Sequence, residues 1–473
     1  MVTKRRNGAM RSPRSHSPTI VAIFLCLLVV IPSSAWPRAT INPGEKLTLE
    51  RAIELTLQNH PRGLEMESEA MAARARIGEA RAALMPQVFA AGEYLRSTDN
   101  PIGNTTYLNP GFVPRITGTL HGGSLNPDQS FSSTNNFLAG VSGQQYLFDF
   151  GRVRGLVRER TEEARAAQSQ VQLTDLDLIF EATQRYFALL AAGQKLKVYQ
   201  KAVEQRTEQL HDAKVKAEAN LTSQIDVLTA QASLARARTN LLEASDEQAT
   251  DRVALDNTMA VSPNAPYYEL ADVLAYKPIG GNIETYYTSA LQHRPELATL
   301  KAQANAAGAQ ITEVYSDFFP SAQAVAGYNA MGTGLPAANN FDVGLVVSWP
   351  IFNGFLTTHQ IDEAKARQNA INYAIKDLQL QVWLEVKSAY LQLQTSIERI
   401  HQAEDTLAAS SGQLELAEKR YNAGLGNIIE LTDAERFYIQ DDAAYVDALY
   451  AYSVTKANLD RATGASLPRE AGR

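Results

Sequence analysis

The most regular pattern in the chain is an alternation of apolar and polar residues around position 345. Apolar or aromatic side chains occupy every second position: Phe341, Val343, Leu345, Val347, Trp349 and Ile351. A period of two over about 11 residues, with aromatic residues near one end, is typical of a membrane β-strand. Weaker alternation of the same kind occurs elsewhere. We predict four strands, at about 87–96, 136–148, 321–330 and 340–351.

Apolar residues with a different period follow each pair of strands. After the second strand they recur every seven residues, at Leu196, Val203, Leu210 and Ala217, with a second row at Tyr199, Arg206 and Ala213. Sustained heptads predict helices that pack by supercoiling. About 60 helical residues at ~1.5 Å each span about 90 Å, far more than a globular helix. We predict long helices at about 152–219, 223–260, 355–421 and 427–463.

Proline and glycine stand where the predicted elements change direction. Pro86 and Pro320 precede the first strand of each pair, where an incoming helix must stop. Gly151 and Gly354 follow the second strand of each pair, where the chain must turn sharply into a helix. We therefore predict structural turns at these four residues.

The whole pattern occurs twice, which indicates an internal repeat. Tyr186 and Tyr390 lie 204 positions apart, and the same offset relates Phe148 to Phe352. A loop rich in Gly, Pro and Asn, between about 97 and 133, occurs in the first copy only. We predict a first repeat at 36–260, a linker at 261–281, a second repeat at 282–464 and a tail at 465–473.

The first 35 residues have the composition of a secretory signal peptide. Lys and Arg residues precede an uninterrupted apolar segment from Ile20 to Ile31, which is shorter than the ~20 residues that a membrane-spanning helix needs. Ser33 and Ala35 provide the small residues of a cleavage site. We therefore expect cleavage before Trp36, and secretion.

Cysteine content and charge restrict the possible functions. The single cysteine, Cys26, follows Leu25 rather than the small residue of a lipoprotein signal, so the mature chain would contain no disulfide and no thiolate metal site. Loss of the five Lys and Arg residues of the signal segment would change the net charge from −7 to −12. Such acidity argues against nucleic acid as a partner. No later segment has 18 consecutive apolar residues, so any membrane-spanning part would consist of strands.

Two architectures without a pore fit parts of these patterns. The heptads alone also fit a plain coiled-coil rod, and the strands alone also fit two hairpins packed on a soluble core. Four membrane strands cannot close a barrel, and open strand edges are not tolerated in lipid. If the strands lie in a membrane, at least two chains must therefore contribute to one barrel.

The order of short motifs resembles that of the TolC family of outer-membrane efflux proteins. The motifs are YLFDFG at 146–151, ALQHRPEL at 290–297, WPIFNG at 349–354 and YNAGLGNIIELTDAERF at 421–437. The resemblance implies an α+β membrane protein. In that family, a homotrimer contributes four strands per chain to one 12-stranded β-barrel in the outer membrane, which continues into a long periplasmic α-helical coiled-coil barrel.

The resemblance also implies a function as the exit duct of a tripartite efflux or type I secretion system. Such a duct conducts substrates passively to the outside from a periplasmic adaptor (membrane fusion) protein and an inner-membrane pump of the RND, ABC or MFS type. The chain does not identify the substrate or the pump. The alternative is a periplasmic or surface coiled-coil scaffold without a pore, which would not conduct ions.

The second long hairpin carries the candidate gate residues at its tip. Gly424 breaks the helix, and Glu430 and Asp433 follow on one face of the returning helix. Six such carboxylates in a trimer would concentrate cations around a narrow opening, although a solvated first helical turn also fits these acids. In the resembling family, acids at these positions line the closed periplasmic entrance, and residues matching Tyr421 and Asp226 keep the tips closed.

The resemblance gives the hairpin tips a second role, which is contact with the adaptor. We extend this role to Asn220 and Leu221 in the first hairpin and to Gly424 and Leu425 in the second. The best-described gate of the family has a basic residue at the position of Gly426. The closing contacts of this chain must therefore differ.

No pattern in the chain indicates an enzyme. The seven histidines are scattered, without a pair spaced i, i+4 and without an HExxH motif. The SxxK string from Ser453 to Lys456 lies inside the last predicted helix and lacks the accompanying β-lactamase motifs. We predict no catalytic residue, no metal and no cofactor.

Overall fold

The computed structural model describes residues 40–98, 133–219, 222–262, 266–278, 280–332 and 338–465. The first copy of the repeat contains β1 (Lys46–Leu47), α1 (Leu49–Asn59), α2 (Pro61–Ala82), β2 (Gln87–Thr98), β3 (Ser133–Phe148), α3 (Arg152–Glu218) and α4 (Gln224–Thr258). The second contains β4 (Glu269–Leu270), α5 (Ile283–His293), α6 (Pro295–Ser316), β5 (Ser321–Gly332), β6 (Ala338–Ser348), α7 (Leu356–Asn422) and α8 (Ile428–Thr463). The signal segment, most of the first-copy loop, Asn220, Leu221 and nearly all of the tail lie outside the described residues.

A pair of consecutive left-handed residues connects each strand pair to its long helix. The pair is Phe150 (φ 50°) and Gly151 (φ 91°) in the first copy, and Gly354 (φ 67°) and Phe355 (φ 65°) in the second. In the first copy the Asp149 carboxylate also accepts a hydrogen bond from the backbone N–H of Gly151 at 3.1 Å. Glycine therefore relieves the backbone strain at one of the two positions in each copy, but not at the same one.

Proline limits the strands. Pro86 and Pro320 each lie one residue ahead of a strand, β2 and β5 respectively. β6 ends at Ser348, three residues before the end that we predicted. The alternating pattern continues past this point, but Pro350 has no N–H to donate to a ladder, so the strand stops.

The strands β2, β3, β5 and β6 form one antiparallel sheet in that order. The two copies join where β3 pairs with β5, and β2 and β6 are the edges. The register places apolar residues on one face, where Ala326 pairs with Val343 and Tyr328 with Phe341. Val343 and Phe341 are 79% and 76% exposed, so the chain itself does not cover this face.

The main apolar core lies near the midpoints of α3 and α7. Leu255 and Tyr186 from the first copy pack in the same cluster as Ile400 and Leu459 from the second. The Tyr186 hydroxyl also contacts the Leu47 carbonyl oxygen at 2.9 Å, beside the parallel pairing of β1 with β4. Both copies are therefore joined at the level of this core.

The helices α3 with α4, and α7 with α8, form two long hairpins. Each has its own small apolar cluster near the tip: Ala213, Val227 and Ala230 in the first hairpin, and Leu414, Ala417, Leu431 and Ala434 in the second. Neither cluster includes a buried residue of the other hairpin. No helix in the described parts of the chain is both long enough and apolar enough to cross a membrane.

Candidate functional site at the hairpin tips

The predicted gate residues lie at the ends of the two hairpins. We call residues 216–226 the first tip and residues 420–433 the second tip. The second tip carries Tyr421, Glu430 and Asp433, whereas the first carries Asp226. Asn220 and Leu221 belong to the first tip but lie outside the described residues.

The turn of the second tip is a Schellman motif built on Gly424. Gly424 is left-handed (φ 72°), and the backbone N–H of Leu425 donates to the Arg420 carbonyl oxygen at 2.9 Å. The N–H of Gly426 reaches the same oxygen at 3.0 Å. A Cβ on Gly426 would lie 3.2 Å from both the Arg420 Cβ and the Tyr421 backbone nitrogen, closer than an ordinary contact. The turn therefore has little room for a basic side chain at position 426.

A basic residue instead reaches the site from the preceding helix. The Nε of Arg420 lies 2.9 Å from Oε1 of Glu430, and its Nη2 donates to the Leu425 carbonyl oxygen at 3.3 Å. Both charged side chains are roughly half exposed. Arg420 thus ties the end of α7 to the start of α8 across the turn, a contact that the sequence analysis missed.

Asp433 also has a cationic neighbour in its own chain. Its Oδ1 lies 3.4 Å from Nη2 of Arg436, one helical turn further along α8. Exposed pairs of this kind contribute little stability. They do, however, offset the charge that Glu430 and Asp433 would present to an ion, so the second tip is less negative than its two acids alone suggest.

Asp226 has a local structural function in the first tip. Ser223 is the N-cap of α4, and its side chain forms a capping box with Asp226 at the third helical position. The Thr222 hydroxyl also donates to the Asp226 carboxylate. Because these contacts satisfy backbone N–H groups that the helix leaves free, Asp226 stabilises the start of α4.

Tyr421 is where the two tips approach each other. It packs against the apolar cluster of the second hairpin, and Nζ of Lys216 from the first tip lies 4.4 Å from the centre of its ring. Burial raises the pKa of the Tyr421 hydroxyl, and the carboxylates of Asp226 and Asp212 raise it further. The hydroxyl therefore stays protonated at neutral pH and can donate a hydrogen bond.

Exposed apolar residues surround both tips. Ile225 and Leu228 lie at the start of α4, and Leu425 and Ile429 lie at the second turn and the start of α8. Among the described residues, no group of three or more His, Cys, Asp or Glu side chains is arranged to hold a metal ion. The tips thus offer apolar contact surface and paired charges.

A β-sheet with an exposed apolar face is typical of outer-membrane β-proteins. The family model described as "Outer membrane efflux protein" matches residues 52–261 and 286–465, more than half of the chain. The chain belongs to this family. Membership confirms the resemblance to TolC-type proteins and the predicted outer-membrane export channel. It also excludes an enzyme and a scaffold without a pore.

Individual relatives are similar over most of their length. The toluene efflux pump outer membrane protein TtgC of Pseudomonas putida is 23% identical over 353 residues, 72% of this chain and 71% of TtgC. The alkaline protease secretion protein AprF of Pseudomonas aeruginosa is 23% identical over 425 residues, 87% of this chain and 83% of AprF. The solved Campylobacter jejuni CmeC outer membrane channel superposes with a TM-score of 0.72 at 16% identity, covering 93% of this chain and 92% of CmeC. This likeness confirms the predicted α+β fold class.

Proposed function

We propose that three copies of this chain form one continuous exit duct, with a 12-stranded outer-membrane barrel above and a periplasmic helical barrel below. Substrates would pass through it from an inner-membrane pump and a periplasmic adaptor protein. The proposal depends above all on one observation, which is the four-stranded sheet with an uncovered apolar face and two edge strands.

The sheet needs further chains to be stable in lipid. β2 and β6 each have only one neighbouring strand in the sheet, and unpaired backbone groups are costly in a hydrocarbon environment. Pairing of β6 of one chain with β2 of the next would satisfy both edges. Three chains with four strands each would close a barrel of 12 strands, as the family resemblance implies.

The helices also present a surface suited to a second copy of the chain. Tyr373, Leu380, Leu384 and Leu391 lie on one face of α7, spaced seven, four and seven residues apart. All four are exposed. Apolar residues at heptad spacing on an exposed face favour packing against another helix, so this face would contact the neighbouring protomer.

The second tip would form the periplasmic gate of the duct. Three copies of Glu430 and Asp433 would place six carboxylates around the entrance, each accompanied by Arg420 or Arg436. Tyr421, held beside Lys216 and near Asp226, would keep adjacent tips together. Cations would still be favoured, but less strongly than by six unpaired acids.

The adaptor would bind at the exposed apolar residues of the two tips. Leu425 is 74% exposed, and Ile225 and Ile429 are similarly open. Asn220, Leu221 and Gly424 complete the proposed contact. The relatives TtgC and AprF are named for the unlike functions of toluene efflux and protease secretion. We therefore assign the choice of substrate to the pump, of RND, ABC or MFS type, and expect crosslinking and co-purification to identify it.

Two valine substitutions on one strand test the duct. Val343 is on the apolar face of β6, whereas Val346 is on the opposite face. We expect Val343→Asp to reduce recovery of a trimer in the outer membrane, because an acidic side chain on a lipid-facing strand position is destabilising, by less than the about 2–4 kcal/mol that Arg or Lys costs. Val346→Asp, the matched control, should still assemble and conduct ions in planar bilayers. Equal assembly of both variants would contradict a membrane position for this sheet.

A further inference from the structure

A buried ion pair joins the two hairpins close to their tips. Arg206 of α3 pairs with Glu435 of α8, and both side chains are almost completely buried, with 7% and 3% exposure. A second guanidinium nitrogen of Arg206 donates to the carbonyl oxygen of Thr432 at 3.3 Å. One side chain thus holds two points on the first turns of α8.

These two points lie close to the gate acids along α8. Thr432 immediately precedes Asp433, and Glu435 lies five residues after Glu430 on the same helix. Each hairpin has its own apolar cluster at this level, without buried residues from the other. The position of α8 relative to α3 near the tips therefore depends strongly on a polar contact.

Arg206 also occupies an unusual place in the helix pattern. It lies in a heptad row together with Tyr199 and Ala213, where coiled helices normally bury apolar residues. A single polar residue at such a position fixes the register of packed helices at a cost in stability. In this chain, a shift of α8 along α3 would leave the charges of Arg206 and Glu435 buried without partners.

The repeat provides an internal comparison. At the 204-residue offset, the position of Arg206 corresponds to Ser410 and the position of Glu435 corresponds to Gln231. Ser410 is buried and donates to the Leu407 carbonyl oxygen of its own helix. The ion pair is therefore not part of the duplicated framework and occurs only where α3 meets α8.

We infer that Arg206 is the positioning residue of the gate: it clamps the start of α8 to α3 and so sets the location of Glu430 and Asp433. This inference rests on the proposed function of the second tip as the gate. Arg206 contacts Glu435 and Thr432 and acts on the gate acids only through the helix that carries them.

The clamp also has a source of pH sensitivity. Burial raises the pKa of Glu435 to about 7, although Arg206 lowers it, and the neighbouring Glu418 carboxylate of α7 adds to the increase. Protonation near neutral pH would remove the negative charge that faces Arg206. Because the buried carboxyl binds this proton more tightly than an exposed one would, the packing of α8 on α3 should nevertheless gain stability as the pH falls through this range.

The main test compares Arg206→Met with Arg367→Met in the full-length purified trimer. Arg367 forms an exposed pair with Glu363 on α7, so it controls for loss of an arginine. We expect Arg206→Met to speed hydrogen exchange of amides 428–436 by about tenfold or more, since a buried charge loses its partner. It should also raise single-channel conductance in planar bilayers. Arg367→Met should change neither quantity.

Glu435→Gln provides the second arm, because it retains the size of the side chain and a hydrogen-bond acceptor. We expect the parent protein to show conductance that changes between pH 5.5 and 8, and Glu435→Gln to show none of this change. If Arg206→Met fails to assemble, the pH dependence of conductance in Glu435→Gln decides whether the clamp exists. Parental pH dependence in Glu435→Gln would overturn the inference.

Two outcomes separate the clamp from the duct. An assembled Arg206→Met trimer with parental exchange and parental conductance would overturn the clamp. If the parent itself does not conduct, the proposed function fails. The exchange of amides 428–436 would still decide whether Arg206 positions α8, because this measurement does not require a pore.

Discussion

The two hairpin tips use equivalent residues for different purposes. Asp226 and Glu430 correspond in the repeat, and each is the third residue of its helix. Asp226 forms a capping box with Ser223. Glu430 pairs instead with Arg420 across the turn. The backbone N–H of Glu430 donates to the side-chain oxygen of Asn427, the N-cap of α8, at 2.8 Å.

The basic residues of the two tips also differ in the partners that they contact. Lys216 corresponds to Arg420 at the repeat offset, but Lys216 extends to the ring of Tyr421 in the other hairpin. In the second tip, acid and base pair with each other. In the first tip, Asp226 caps its own helix, and Lys216 contacts the other hairpin. Residues that correspond in the repeat thus form different side-chain contacts in the two tips.

The largest expected effect is the pH dependence that Glu435 gives to the second hairpin. The folded pKa of Glu435, about 7, lies above its ordinary value of 4.5. The folded state therefore binds this proton more tightly, and the contribution of Glu435 to stability falls as pH rises from about 4.5 to about 7. We expect up to about 3 kcal/mol per chain. Thermal unfolding of the trimer at pH 5 and pH 8 should show a clearly larger loss in the parent than in Glu435→Gln, which retains the raised pKa of Glu159 in the first hairpin. Parallel behaviour of the two proteins would contradict it.

The next effect concerns the glycine turn. Gly424→Ala should destabilise the second tip by about 1–2 kcal/mol, because alanine is strained in the left-handed conformation. Gly412→Ala, in the interior of α7 with open space around the added Cβ, should stabilise the same helix by about 0.5–1 kcal/mol. Hydrogen exchange near each site measures both. A stabilising effect of Gly424→Ala would show that the turn does not depend on Gly424.

A smaller effect distinguishes the two corresponding acids. Asp226→Ala should destabilise the start of α4 by about 1 kcal/mol, since it removes half of a capping box. Glu430→Ala should cost less than about 1 kcal/mol, because it breaks an exposed pair. Amide exchange in segments 223–230 and 427–434 compares them directly. If Glu430→Ala destabilises its helix more than Asp226→Ala does, then Glu430 and not Asp226 is the residue that stabilises a helix start.

The smallest effect is on ion selectivity. Glu430→Ala combined with Asp433→Ala should weaken cation preference and block by multivalent cations, whereas Arg420→Met should strengthen both by roughly twofold, as it exposes the charge of Glu430. Reversal potentials under a salt gradient measure the change. Unaltered selectivity in both variants would place these residues away from the conducting path.

The α+β class could be predicted from the sequence because periods of two and seven are local patterns. The ion pairs could not, since Arg420 and Glu430 meet across a turn and Arg206 and Glu435 meet across two hairpins. Their pairing depends on tertiary packing that no local spacing encodes. One signal was present: an arginine in a heptad row of apolar residues indicates a buried partner.

The most direct test of the account is the conductance of the parent trimer and of the variant Tyr421→Phe with Asp226→Ala in planar bilayers. If the duct is closed where the tips meet, the parent should show small, cation-preferring channels. The double variant, which loses the Tyr421 hydroxyl and the nearby Asp226 carboxylate, should show clearly larger ones. Absence of channels in a correctly assembled parent, or identical conductance in both proteins, would contradict a duct that is closed at the hairpin tips.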